Sequence, residues 1–191
     1  MSFEAVLTMV VQVLEEAGVP YMLTGSVAGA YYALPRATQD VDFVIDAPPA
    51  RIQAVVDGLR ARGLYVSQEA AEQAFKARGQ FNAIDPERGW KVDLIFRKDR
   101  PFSKAEFARR KPAMLVGVSV SLPTPEDLIV AKLEWSEMGD SELQRRDVVQ
   151  LVEVGGRSLD RSYIERWVED LGLQSAWAAI LERASLPHDD S

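Results

Sequence analysis

The feature that most constrains this chain is a pair of aspartates, Asp40 and Asp42, opening the run Asp40-Val41-Asp42-Phe43-Val44-Ile45. The run is apolar and β-branched around its acids, so it reads as a strand. Residues two apart in a strand point to the same face, which sets the two carboxylates side by side. Like charges at that spacing raise a pKa unless a cation lies between them, and a divalent metal held by carboxylate oxygens is the simplest such cation. Upstream, Leu23-Thr24-Gly25-Ser26 ends a short apolar strand and opens a helix. Backbone N–H groups at such a turn can hold phosphate. A phosphate cradle followed by a metal-binding pair is the equipment of an enzyme that handles nucleoside triphosphates.

The totals narrow the setting. A chain of 191 residues with 47% hydrophobic content is one domain, or a domain plus a small helical appendage, with a real core. No apolar run reaches membrane-spanning length. Met1-Ser2-Phe3-Glu4 lacks the basic and apolar regions of a signal peptide, so nothing directs export and a cytoplasmic location is expected. With no Cys, disulfides, thiolate metal sites and Cys catalysis are excluded. The net charge of −7 argues against a broadly basic nucleic-acid surface, leaving Arg97-Lys98-Asp99-Arg100 and Arg109-Arg110-Lys111 as candidates for a local basic strip. The one histidine, His188, lies in a polar tail beside two aspartates, so histidine acid–base chemistry is not expected.

Periodicity places the elements. Phe3, Val6, Leu7, Val10 and Leu14 recur at helical spacing before a stop at Gly18. A short strand over 21–23 leads to a helix over 26–34, closed by Pro35. After the strand at 40–45, Pro48-Pro49 starts a helix carrying Ile52, Val55, Val56 and Leu59, and 68–78 forms another. Strands at 80–84 and 90–96 are joined by the turn formers of 85–89. A short amphipathic helix over 103–110 precedes a single edge strand over 114–122. Thr124-Pro125-Glu126-Asp127 is a helix start, with a Thr cap, Pro in the first position and acids in the first turn. Helices over 124–138, 141–154, 159–171 and 173–184 follow, with a frayed tail at 186–191. The class is α+β: a mixed α/β half over 1–122, then a helical region over 123–185 packed on it.

Further charges stand where apolar residues are expected. Asp93 interrupts the apolar strand Lys91-Val92-Asp93-Leu94-Ile95-Phe96, which is costly unless it is paired or bound to metal. On an adjacent strand it could join Asp40 and Asp42, and three carboxylates can hold two metals. Asp93 could instead act as a general base, or sit at an exposed alternating position with Lys91. Gly25 would let the backbone approach phosphate, and Ser26 would donate a hydrogen bond or merely cap its helix. Arg36 and Thr38 share a face with the two aspartates if the extended run begins early; Arg36 would then contact phosphate or balance the acids. Lys132 and Asp147 each fall on an apolar helical stripe, beside Leu128, Ile129 and Trp135 and among Leu143, Leu151 and Val154. Either they meet in a polar cleft, Lys132 near the triphosphate and Asp147 pairing with it, or they form a structural salt bridge between antiparallel helices. Asp46, just past its strand, is assigned to capping or turn duty.

The Gly25-Ser26 and Asp40-x-Asp42 spacing, with a later strand acid at Asp93, resembles the DNA polymerase β-like nucleotidyltransferase superfamily. The fuller pattern is Leu-Thr-Gly-Ser, Arg36-x-Thr38-x-Asp40-x-Asp42, Thr124-Pro125-Glu126-Asp127-Leu128 leading to Lys132, then Arg146-Asp147. It is similar to the AbiEii-like nucleotidyltransferase toxins of bacterial type IV toxin–antitoxin and abortive-infection systems. The resemblance covers roughly residues 20–155. It implies a small mixed sheet flanked by helices, with Mg²⁺ (or Mn²⁺) and a nucleoside triphosphate at the Asp40–Asp42 edge, and transfer of a nucleotidyl group to an acceptor as pyrophosphate leaves. By position it implies that Gly25 and Ser26 hold phosphate, Asp40 and Asp42 bind metal, and Lys132 contacts nucleotide, with Asp147 the acid of the last helical motif. The chain is shorter than many such toxins, and the Lys132-to-Asp147 interval is compact.

The expected function is therefore metal-dependent nucleotidyl transfer to a hydroxyl of RNA (tRNA in the toxin reading), protein or a small molecule, with an antitoxin as a possible protein partner. An antibiotic-modifying transferase is the nearest competitor, and the acidic balance suits a cationic drug better than RNA. A basic strip along Arg97 to Lys111 facing the cleft would favour RNA. A non-catalytic module of the same fold is the reading from another class; its mark would be a missing carboxylate, and all three candidates are present.

Overall fold

The computed structural model describes residues 2–184; His188 and the tail at 186–191 lie outside them. Helix α1 (Phe3–Glu16) starts at Ser2, whose side chain accepts from the Ala5 N–H, and buries Val6, Leu7, Val10 and Leu14 along one stripe. Gly18, at φ +63, turns the chain into strand β1 (Tyr21–Thr24), and helix α2 (Gly25–Tyr32) follows with no intervening loop. Residues 33–39 carry no regular structure and lead to β2 (Asp40–Ile45). Then come α3 (Pro49–Ala61), β3 (Tyr65–Val66), α4 (Gln68–Ala77), β4 (Gln80–Ile84), β5 (Lys91–Phe96) and α5 (Pro101–Arg109).

The five strands form a mixed sheet in the order β1-β2-β5-β4-β3, in which only the β2–β5 pair is parallel. This is the small mixed sheet expected of the first half, with β3 as an added two-residue edge. Register fixes two unlike faces. Val41, Phe43 and Ile45 lie opposite Val92, Leu94 and Phe96, and all six are buried in the core under the helices. The alternate residues put Asp40 opposite Lys91, Asp42 opposite Asp93, and Val44 opposite Ile95 on the other face. A one-residue slip would exchange the two sets, so burying Phe43 and Leu94 is what aims the acids away from the core.

Residues 111–122 depart from expectation. Instead of one edge strand over 114–122 they form a hairpin, β6 (Lys111–Leu115) and β7 (Val118–Leu122), in a sheet of their own. The turn residues Val116 and Gly117 both have positive φ, +45 and +83. That is the geometry that joins antiparallel strands tightly. Val is a poor residue for it, so the turn left little trace in the sequence.

The helical half runs as expected: α6 (Pro125–Gly139), α7 (Glu142–Gly155), α8 (Arg161–Asp170) and α9 (Gln174–Arg183). Thr124 caps α6 by accepting from the Asp127 N–H at 3.3 Å. Helices α6 and α7 pack against each other and both touch α2, so the helical half closes over the polar face of the sheet.

Candidate active site

Four strands contribute one residue each to a polar row. Thr24 of β1 lies opposite Asp42 of β2, Asp42 opposite Asp93 of β5, and Asp93 opposite Asn82 of β4. The row forms because each residue occupies the non-core position of its strand. Asp93 is 6% exposed, and both its oxygens are engaged: Asn82 Nδ2 donates to Oδ1 and Lys91 Nζ to Oδ2, each at 2.7 Å. The Asp42 carboxylate takes no hydrogen bond or ion pair among the described residues. Burial, then the charges of Asp93 and Asp40, push its carboxyl up to about 6, against the weaker pull of Lys132 and Lys91.

Gly25 sets the helix on this acid. Its φ is +66, and a Cβ built there would lie 1.9 Å from Asp42 Oδ2. Only glycine lets the first turn of α2 rest against the carboxylate. Thr24 lends that turn no side-chain cap. The positive end of α2 begins beside Asp42, at the kind of helix N-terminus that binds anions.

Arg36 and Thr38 do not share a strand face with the aspartates, because the strand begins only at Asp40. Thr38 instead fastens the strand end, its hydroxyl accepting from the Asp40 N–H at 3.0 Å. Arg36 reaches the site from the irregular segment: Nη2 donates to Ser26 Oγ, and Nε lies 3.6 Å from Asp147 Oδ1, buried and without a hydrogen bond. Lys132, 3% exposed, donates from Nζ to Asp147 Oδ2 at 2.7 Å and to Gln144 Oε1 at 3.0 Å. Burial lowers its pKa, with Asp147 pulling the other way. The salt bridge between helices therefore exists, and Lys132 also lines the cleft beside Asp42. Asp147 stands behind it with Arg36, lining a smaller recess. Asp46 takes no capping role; Arg97 Nη2 pairs with its Oδ2 at 3.2 Å.

The cleft encloses about 770 Å³, its open mouth included. Thr24, Gly25, Ser26, Asp42 and Lys132 form one wall. The other comes from α5 and α6, with Arg100, Phe102, Ser103, Glu106, Glu134 and Trp135. Sequence reasoning missed this second wall. Its signal was available at Glu106, an acid on the helical stripe of Phe102 and Phe107, the same anomaly that exposed Lys132 and Asp147.

Among the described residues, no three of His, Asp and Glu stand grouped to hold a metal ion. The chemistry of the pair Asp40–Asp42 nevertheless suits one divalent cation: hard oxygens, one of them on a carboxyl whose ionisation its acidic neighbours oppose. Asp93 could add an oxygen only if Lys91 let go. In the candidate basic strip, the three arginines Arg97, Arg100 and Arg109 are paired with acids. Arg97 pairs with Asp46, both terminal nitrogens of Arg100 with Glu134, and Arg109 Nε with Asp127 at 3.0 Å.

No family model matches the chain, and no curated protein matches it. Solved structures do. The antibiotic-resistance factor ANT(2″)-Ia, determined in solution, aligns over 94% of this chain and 95% of its own at 14% identity, with a TM-score of 0.61. An antigenic nucleotidyltransferase-like protein from Paracoccidioides brasiliensis aligns over 93% and 87% at 16% identity, TM-score 0.58. The lincosamide antibiotic adenylyltransferase LnuA, with lincomycin bound, aligns over 78% and 95% at 15% identity, TM-score 0.52. At such identities a likeness speaks for architecture: this chain has the nucleotidyltransferase fold.

Proposed function

We propose that the protein is a metal-dependent nucleotidyltransferase that moves a nucleotidyl group from a nucleoside triphosphate to the hydroxyl of a small molecule. The observation that carries this reading is the seating of the α2 N-terminus on Asp42, which puts phosphate-binding N–H groups and a metal-binding acid within one turn. Asp40 and Asp42 would hold the cation, which when bound neutralises phosphate charge and draws the reacting oxygens together. Gly25 and Ser26 hold the triphosphate, and Lys132 and Arg36 turn from Asp147 and Ser26 toward it. The acceptor oxygen attacks the α-phosphorus, the bond to the β-phosphate oxygen breaks, and pyrophosphate leaves. Asp93, oriented by Asn82 and Lys91, is the carboxylate left to take the hydroxyl proton.

A small acceptor is favoured over RNA because Arg97 and Arg100, which line the cleft, are already paired with Asp46 and Glu134, leaving Lys98 alone without an acid partner, among the described residues, of the basic residues of that strip that reach it. ANT(2″)-Ia has also been solved with adenylyl-2″-tobramycin and LnuA with lincomycin, so proteins of this fold take small acceptors. The toxin reading, with tRNA or protein as acceptor and an antitoxin as partner, rests on motif resemblance. Part of that motif, Thr124 and Asp127, caps α6 and holds Arg109.

The test is calorimetric titration with each of the four ribonucleoside triphosphates, with and without Mg²⁺, on the protein and on Asp42→Asn. Mg²⁺-dependent binding that the variant loses is the expected result. Binding that survives unchanged in the variant would remove the metal assignment.

A further inference from the structure

Glu106 is the one acid in the second wall that the fold leaves without a base. It lies on α5, is 7% exposed, lines the cleft, and makes no hydrogen bond or ion pair among the described residues. Its charged neighbours on α6 and at the start of α5 are committed elsewhere. Both terminal nitrogens of Arg100 go to Glu134 of α6, and its Nε donates to Ser103 Oγ at 3.0 Å. Asp127, also of α6, is held by Arg109, Thr124 and Tyr163. Lys98, on the connection from β5, draws on Glu106 only through its charge. A buried carboxylate with no cation is expensive, and a fold gains nothing from keeping one. Trp135 of α6, 40% exposed, lines the same cleft, and aromatic faces attract cations.

We infer that Glu106 anchors an ammonium group of the acceptor, so that the hydroxyl-bearing substrate is an amine whose cation enters the cleft against this carboxylate. The inference rests on the transferase reading above, since it takes the cleft beside Asp42 as the place where acceptor binds. It also gives binding a proton balance. Burial, with Asp127 and Glu134 adding to it and Arg100 and Lys98 opposing, raises the Glu106 carboxyl to about 8, so it is mostly neutral at pH 7. An arriving ammonium ionises it, and close to one proton leaves for solvent per amine bound. Above pH 8 the carboxyl is already ionised and the release disappears.

The experiment uses ethanolamine, with 1,2-ethanediol as its uncharged match, on protein carrying ¹³C-labelled glutamate. Saturating ethanolamine should lower the apparent pKa of Glu106 by more than one unit, read from its carboxyl resonance, while the diol leaves it unmoved. Affinity for ethanolamine should rise about tenfold per pH unit from pH 6 toward 8 and then level off. Glu106→Gln, a close mimic of the neutral side chain, should weaken ethanolamine binding at least tenfold and abolish the pH dependence while keeping Mg²⁺-triphosphate binding. A Glu106 resonance that ignores ethanolamine, or a Gln variant that binds it as well as the parent does, overturns the inference. The resonance reads the parent protein and so decides the matter even if the variant fails to fold. A parent protein that binds ethanolamine as expected but shows no Mg²⁺-triphosphate binding would sink the transferase reading instead.

Discussion

Asp42 and Asp127 are both largely withdrawn from water, and the protein treats them in opposite ways. Asp127 is 0% exposed and surrounded: Arg109 Nε donates to it at 3.0 Å, the Thr124 hydroxyl at 2.7 Å, and the Tyr163 hydroxyl completes the set, with the Arg109 guanidinium stacked 3.9 Å above the Tyr163 ring. Asp42 has no donor, and two acids are among its neighbours. The first arrangement ties α5, α6 and α8 together. The second leaves a charge that something from outside must satisfy. Unequal pairing thus separates an acid that holds the fold from one that awaits a ligand.

The sharpest way to break this comparison is to delete each acid. Asp127→Ala leaves the Thr124 and Tyr163 hydroxyls and the half-exposed Arg109 guanidinium without their acceptor, and should cost about 3 kcal/mol in urea denaturation. A loss near zero would mean the Asp127 network is ornamental. Asp42→Asn should instead raise stability at neutral pH. The sign follows from the pKa: the folded value near 6 lies above the usual carboxylate value, so the folded state holds the proton more tightly. The fold is therefore favoured at low pH and loses that advantage as pH rises from about 4 to 6. The penalty above pH 6 is at most about 3 kcal/mol, so the gap between variant and parent should open across that window and close below it. A gap independent of pH would show that Asp42 is not strained.

Smaller changes sharpen the same contrast. Gly25→Ala forces a methyl onto the Asp42 carboxylate and should weaken Mg²⁺-triphosphate binding at least about tenfold, with folding retained by circular dichroism. Lys132→Met keeps the buried stem and removes the amine; triphosphate affinity should fall about tenfold while metal binding persists. Global unfolding of that variant would give Lys132 to the fold alone. Thr38→Ala removes only the fastening at the start of β2 and should cost about 0.5–1 kcal/mol. It should leave triphosphate binding unchanged.

Much of this was legible in residues 21–45 and 91–96 because strand period and core burial act together there: apolar residues at alternate positions fix the face on which Asp40, Asp42 and Asp93 must lie. The start of α6 was legible because Thr124, Pro125 and Asp127 each answer a local need of a helix end. What stayed hidden was non-local or badly signalled. Val116-Gly117 turns a hairpin with a residue that disfavours its conformation. Arg36 reaches Ser26 from a segment with no period at all. Lys91 looked like a solvent-facing lysine, and only the register of β4 against β5 shows Asp93 caught between it and Asn82. Glu106 carried a signal, but its meaning depended on where Arg100 had already gone.

The contact between Gly25 and Asp42 also limits how the site can change over generations. Any side chain at position 25 meets Asp42 Oδ2 before it meets anything else, and φ +66 adds a conformational penalty. A larger residue there is relieved only by a shorter one at position 42, which discards the carboxylate. The constraint runs one way: position 42 can change while Gly25 stays, but Gly25 cannot change without disturbing the acid. Descent from such an enzyme toward an inactive relative would therefore begin at position 42 rather than at position 25.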